Sequence, residues 1–259
     1  MAIEILDRSP WRVTTYVPDE KETQTLGGTQ THASVGMDLV QTLRTYATRL
    51  GVLWLVRLET ELIYPRANGT IGTFYPDIVV APDLRIDNEQ PYVVSEVGRP
   101  PALVLEIASK KTVRRDVGPK RLAYAELGVE EYVTFDPRKG KNLALHGYRL
   151  MAQGRYREIP PDPEGGVWLN TIGLRVRAEE PIQALDGPLL RLTTRDGERL
   201  LHSDEEAEAR EIAELAREAA EAGWQAERRA RETAEQTRDA AQAEIVRLRA
   251  LLGESAPES

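Results

Sequence analysis

The 259-residue sequence predicts an α/β (α+β) domain followed by one long C-terminal helix. Three observations carry that expectation. A helical pattern near the start gives way to runs rich in Val, Leu, Ile and Trp. A second helical pattern, Asp116 to Leu127, lies between two further apolar runs. From Asp204 to Leu252 there is no proline, and Ala, Glu and Arg dominate. Helix, strands, helix, strands is the order of a mixed domain built in layers, and the tail has the composition of a single helix.

Taken in order, residues 1–28 form an irregular N-terminal segment, punctuated by Pro10, Pro18, Gly27 and Gly28. From Thr31 to Leu50, Val35, Leu39, Leu43, Tyr46 and Leu50 recur at helix spacing, and Gly51 suits the position just past the end. Val52 to Tyr64 reads as one or two strands. Asn68-Gly69 is a hairpin turn signal. Ile71 to Val80 is then the returning strand, with Asp77 near its centre. Polar connecting text follows, around a short Tyr92-Val93-Val94. Ala102 to Ser109 is a strand and Lys110 to Arg115 a basic loop. In the helix Asp116–Leu127, Asp116 suits the N-cap, Pro119 fits the first turn and Gly128 suits the C-terminal cap. Val129 to Phe135 is a strand, and Leu143–Tyr148 with Tyr156–Ile159 a hairpin. Short strands and turns fill 160–203. The expected division is 1–28, a folded domain over 29–203, and the helix over 204–259.

Composition narrows the function. There is no cysteine, so disulfides and thiolate metal sites are excluded, which agrees with a cytoplasmic location. No run of about 18 apolar residues predicts a membrane span, and Met1 to Asp7 lacks the basic region and apolar core of a leader peptide. Net charge is −8, of which −7 falls in 204–259 and −1 in 1–203. A nucleic-acid surface would therefore be a local patch.

The candidate chemistry lies between Asp77 and Tyr124. Asp77 and Glu106 both sit in apolar, strand-like text. Two buried carboxylates repel unless a cation lies between them, and hard oxygen ligands suit Mg²⁺ or Mn²⁺. Exposed edge positions or private salt bridges account for the same pattern equally well. Val117, Lys120, Tyr124 and Leu127 fall on one helix stripe, the one that faces a sheet. An inward Lys120 would reach the two carboxylates. A snorkelling Lys120 paired with Asp116 is the plainer reading of the stripe alone. Lys110, Lys111, Arg114 and Arg115 form the densest basic cluster, directly after the Glu106 strand. His32, His146 and His202 show no ligand spacing.

Pro76-Asp77, Glu106 with Ser109, then Asp116, Lys120, Tyr124 and Gly128-Val129-Glu130-Glu131-Tyr132 resemble the Uma2 family of endonucleases, within the PD-(D/E)XK nuclease superfamily. The resemblance covers roughly residues 30 to 200. It implies a restriction-endonuclease-like mixed sheet flanked by helices, and hydrolysis of phosphodiester bonds, of DNA above all. By position it implies Asp77 and Glu106, with the Ile107 carbonyl, as ligands of Mg²⁺ or Mn²⁺. The residue two after Glu106 is Ala108, where the superfamily motif has lysine. In this family the lysine moves to the helix, which implies Lys120 in that role. Asp116, Tyr124 and Ser109 would support it, and Lys110, Lys111, Arg114 and Arg115 would meet nucleic acid. The alternative is a nuclease-like DNA-binding or coiled-coil scaffold module without catalysis.

The tail's own seam is irregular. Ile212, Leu215 and Ala219 lie in one part, and Ala241, Ile245, Leu248 and Leu252 in another. The second part fits a heptad, which Arg238 interrupts at the preceding a position. A homodimer through the nuclease domain or the tail is consistent with this length.

Overall fold

The structure, a computed structural model, describes residues 11–15, 30–86, 90–108, 116–137, 144–180 and 188–251. The chain divides into two compact units between Ser203 and Asp204. The first is mixed α and β. Helix α1 spans Gln30–Leu50; of the expected stripe Val35, Leu39 and Leu43 are buried and Tyr46 packs against the same core, but Leu50, in the last turn, is exposed. Val52 to Tyr64 resolves into two strands, β1 (Trp54–Leu58) and β2 (Leu62–Pro65). Residues Asn68-Gly69 turn β2 into β3 (Ile71–Phe74), its antiparallel partner. Gly69 sits at φ 81°, the left-handed region this turn needs.

The single returning strand expected over Ile71–Val80 does not exist. It is two strands in two sheets: β3, and β4 (Ile78–Pro82), which pairs with β1. Pro76 sits at the switch. It has no N–H for a ladder and fixes its own φ, so a continuous strand stops there. Asp77 is accordingly not at a strand centre but immediately before β4. The chain makes the matching switch between β1 and β2. There Glu59 takes φ 47° and donates its N–H to the Asp77 carbonyl at 2.9 Å.

The remaining elements are β5 (Tyr92–Val93), α2 (Val94–Val97), β6 (Leu103–Ile107), α3 (Arg121–Leu127), β7 (Glu131–Asp136), β8 (Ala144–Leu150), β9 (Tyr156–Glu158), β10 (Val167–Leu169), β11 (Leu174–Glu179) and β12 (Leu189–Thr193). The central sheet has the order β1-β4-β6-β7-β8-β9. Its β6–β7 pair is parallel and its other pairs are antiparallel. Both faces are covered, so its inner strands carry buried apolar residues on both sides. On one face α1 and the sheet β10-β11-β12 pack on Ile78, Val80, Leu105 and Val133. On the other, α3 and the sheet β3-β2-β5 pack on Val79, Val104 and Tyr132.

The helix expected over Asp116–Leu127 is not uniform. Asp116–Lys120 forms a wide π-type turn, broken at Gly118 (φ −105°, ψ −105°) and followed by Pro119. Regular helix begins only at Arg121, so Asp116 is not its N-cap. Pro119 can neither donate to the preceding turn nor tolerate its carbonyl. Gly128 closes α3 at φ 90°, donating its N–H to the Tyr124 and Ala125 carbonyls. The second unit is helix α4, Ser203–Leu251, solvent-exposed along nearly its whole length. Among the described residues no helix is long and apolar enough to cross a membrane.

Candidate functional site

The register of the central sheet assembles one row of polar side chains. β4 runs antiparallel to β6, with Ile78 opposite Leu105 and Val79 opposite Val104. One step further, Asp77 stands opposite Glu106. Glu106 is beside Thr134 on β7, and Thr134 is opposite His146 on β8. Neighbours across a sheet share a face. This face is the one α3 covers, because Val104, Tyr132 and Tyr148 pack with Tyr124.

Glu106 is 2% exposed, deep enough that an uncompensated charge would be prohibitive. Two groups compensate it. Lys120 donates from Nζ to Oε1 at 3.0 Å, and Tyr124 donates from its hydroxyl to the same oxygen at 2.8 Å. Lys120 is equally buried and lies 3.6 Å from Asp116 Oδ1. The lysine does not snorkel outward: it points inward to Glu106, and it meets Asp116 across the wide turn from that buried position. The cation that Glu106 needs is therefore supplied by the chain itself, so its burial does not by itself demand a metal. Asp77 is only half-buried. Its Oδ2 accepts the Ile107 N–H at 2.6 Å, fixing it against the end of β6.

Tyr132 backs this cluster. Its hydroxyl donates to the Asp116 carbonyl at 2.9 Å, holding the wide turn against β7. Burial first, then the charges of Glu106 and Asp116, push its pKa well above the ordinary tyrosine value. It stays a neutral donor at any working pH.

Two residues of the row escaped the sequence reading. Thr134 is 3% exposed, and its Oγ1 makes no hydrogen bond among the described residues. Glu59 stands across from Asp77 at the exposed end of β1. Each is legible only from strand register, which no local pattern encodes. His146 is exposed and pairs through Nδ1 with Glu158 Oε1 at 2.8 Å, away from any ligand set.

The structure thus brings together Asp77, Glu106, Ile107, Asp116, Lys120 and Tyr124. Ser109, Lys110, Lys111, Arg114 and Arg115 lie outside the described residues. Among the described residues no three His, Cys, Asp or Glu side chains are grouped to hold an ion. The donor set at the row suits a hard cation nevertheless. Mg²⁺ takes one or two carboxylates and completes its shell with water or phosphate oxygens. Asp77 and Glu106, with a carbonyl from the end of β6, supply that much.

The family model "Uma2: Putative restriction endonuclease" matches residues 7–179, more than half of the chain. A solved structure described as a putative nuclease belonging to DUF820 from Anabaena variabilis ATCC 29413 is similar at 15% identity and a TM-score of 0.42. That likeness covers 56% of this chain and 75% of the other. No curated protein matches the chain.

Proposed function

This chain belongs to the Uma2 family of putative restriction endonucleases, and on that premise we propose that it is a metal-dependent endonuclease that hydrolyses phosphodiester bonds of DNA. The observation that supports this best is the buried Lys120–Glu106 contact at 3.0 Å, one strand position across from Asp77. A buried lysine held on a carboxylate at a strand end is costly as scaffold alone, since apolar residues would fill the space more cheaply.

In this reading Asp77 and Glu106, with the Ile107 carbonyl, hold one or two Mg²⁺ or Mn²⁺ ions. The bound ion supplies a water of lowered pKa and a Lewis acid for the attacked phosphate. Lys120, which donates to Glu106, would orient the attacking water or meet charge developing on the phosphate. Asp116 lies at salt-bridge distance from Lys120 and would help to position it. Tyr124 fixes Oε1 of Glu106, so the other carboxylate oxygen has a defined direction. Lys110, Lys111, Arg114 and Arg115 follow the β6 strand in sequence and would neutralise backbone phosphates.

The test is a cleavage panel of single-stranded, duplex and branched DNA with Mg²⁺, Mn²⁺ or EDTA. Cleavage that needs the metal and is lost in Asp77→Ala and Glu106→Ala is the expected result. Calorimetry with Mn²⁺ should show binding to the wild type and none to either variant. DNA binding without turnover in every condition would replace the enzyme by the nuclease-like binding module.

A further inference from the structure

Helix α4 carries one continuous seam that a heptad does not find. Counted at spacings of 3, 4 and 4, the positions are Ile212, Leu215 and Ala219, then Gly223, Ala226, Ala230 and Ala234. They end in Thr237, Ala241, Ile245 and Leu248. That is an 11-residue repeat, three turns of 3.67 residues, and it keeps one side of a nearly straight helix. The helix is unbroken from Ser203 to Leu251, so the stripe is continuous in space. Arg238, which interrupts the heptad at Ala241, lies beside this stripe rather than in it.

The stripe is solvent-exposed among the described residues. Ile212, Leu215, Ile245 and Leu248 are between 49% and 60% exposed. Its sizes are also ordered: large aliphatics at both ends, alanine through the middle. Reversed about Ala230, the pattern meets itself. Ile212 faces Leu248, Leu215 faces Ile245, Ala219 faces Ala241, and the missing side chain of Gly223 faces the branched Thr237. Alanine at the centre lets two helix axes approach to about 8 Å, the near limit of helix packing.

Charge selects the same arrangement. Residues 204–227 carry nine acidic and two basic side chains, a net of −7. Residues 228–251 carry four acidic and six basic, a net of +2. A parallel pair in register would set −7 against −7. An antiparallel pair centred on Ala230 sets residues 209–227, net −3, against residues 233–251 of the partner, with three acidic and three basic side chains, so like charges are no longer stacked along the acidic half.

We propose that this seam is a docking surface for α4 of a second copy of the chain, antiparallel and centred on Ala230. The complementarity is of the stripe with its own reverse, which is what a two-fold, isologous contact requires. At roughly 73 Å of helix, 49 residues at 1.5 Å each, the two Ser203 ends then lie at opposite ends of the pair. This proposal stands apart from the nuclease reading and its test does not use cleavage.

The chain has no cysteine, so single introduced thiols report without ambiguity. In the full-length protein at micromolar concentration, Ala230→Cys alone should form a disulfide-linked dimer under mild oxidation. Ala219→Cys and Ala241→Cys should each fail alone and link when mixed, because only that pair is then within disulfide reach. All three linking alone would establish a parallel pair and overturn the proposal. No linking in any case, with sedimentation giving a monomer, would overturn it too. As a second measurement, Leu215→Lys should weaken association by at least about 10-fold, since it removes two apolar contacts per dimer. Leu215→Lys with Ile245→Glu should recover most of that loss. An unchanged dimer in Leu215→Lys would place the contact elsewhere.

Discussion

Glu106 and Glu131 lie on adjacent parallel strands, 2% and 1% exposed, and solve the same problem in different ways. Glu131 receives donors on both oxygens. Arg149 donates to Oε1 from Nε at 2.9 Å and Nη2 at 2.7 Å, with the Asn170 N–H at 3.0 Å. Thr171 donates to Oε2 from its N–H at 2.9 Å and its hydroxyl at 2.6 Å. Two of those donors are backbone, positioned by the turn between β10 and β11. Arg149 also reaches the Trp168 carbonyl, so the knot ties β7, β8 and β10 together. Glu106 differs in that Lys120 from the π-type turn and Tyr124 from α3, both side chains, donate to it on Oε1. A carboxylate held on both oxygens, in part by fixed backbone donors, is a fastening. A carboxylate held by movable side chains, beside Asp77 at a strand end, can exchange partners. Glu131 belongs to the Gly128–Tyr132 motif that carried the family resemblance, yet its part here is structural.

The largest expected effect breaks the fastening. Glu131→Ala leaves Arg149 and the N–H groups of Asn170 and Thr171 without their acceptor. Removing one partner of such a partly buried set costs about 1–3 kcal/mol. Urea unfolding followed by fluorescence should show a midpoint shift of that size. A shift below about 1 kcal/mol would mean that water replaces the carboxylate and the contrast with Glu106 is lost.

Lys120→Ala tests the other side. It should keep Mn²⁺ binding and lower cleavage by roughly 10²-fold, the scale of one positioned electrostatic group. It also leaves Glu106 buried without its cation, so turnover must be compared below the unfolding temperature of both proteins. If Lys110→Ala or Lys111→Ala abolishes turnover while Lys120→Ala does not, the lysine of the reaction lies in the loop after β6.

What the sequence made legible follows from the range of the forces involved. The α1 stripe, the α3 stripe and the tail are local periodicities, and all three are found. Lys120 stood out because a charge in an apolar stripe breaks a local rule. The split of Ile71–Val80 between two sheets was not legible, although Pro76 stood at the break. Which strand β4 joins is decided by β1, some twenty residues back. Thr134 and Glu59 enter the row only through inter-strand register. Glu131 could not be told from Glu106, because its five donors come from β8 and the turn before β11.

Thr134 offers a finer test within the row. Its buried hydroxyl makes no hydrogen bond among the described residues, so Thr134→Val should stabilise the domain by up to about 1 kcal/mol. Thermal unfolding with and without Mn²⁺ checks it. A loss of stability seen only with Mn²⁺ would show that the hydroxyl serves the bound state.

A third glutamate carries the comparison to the surface and gives the smallest effect. Glu126 on α3 accepts the Thr14 hydroxyl at 2.7 Å and, from Thr15, the N–H and hydroxyl at 2.8 Å each. Burial alone would raise its pKa, but these hydrogen bonds, with a further one from the Thr14 N–H, outweigh it and hold the pKa below the ordinary 4.5. A carboxylate with a lowered folded pKa contributes stability above its unfolded value. That contribution is lost as pH falls through the folded value. Residues 11–15 should therefore stay docked on α3 at pH 7 and loosen only as the pH falls below the ordinary 4.5. Amide exchange at Thr14 and Thr15, followed from neutral to acid pH, measures this directly. In Glu126→Gln the same amides should exchange faster already at pH 7, with little further change on acidification, because the titrating group is gone. Exchange that rises equally in both proteins on acidification would trace the loosening to the rest of the domain, not to this carboxylate.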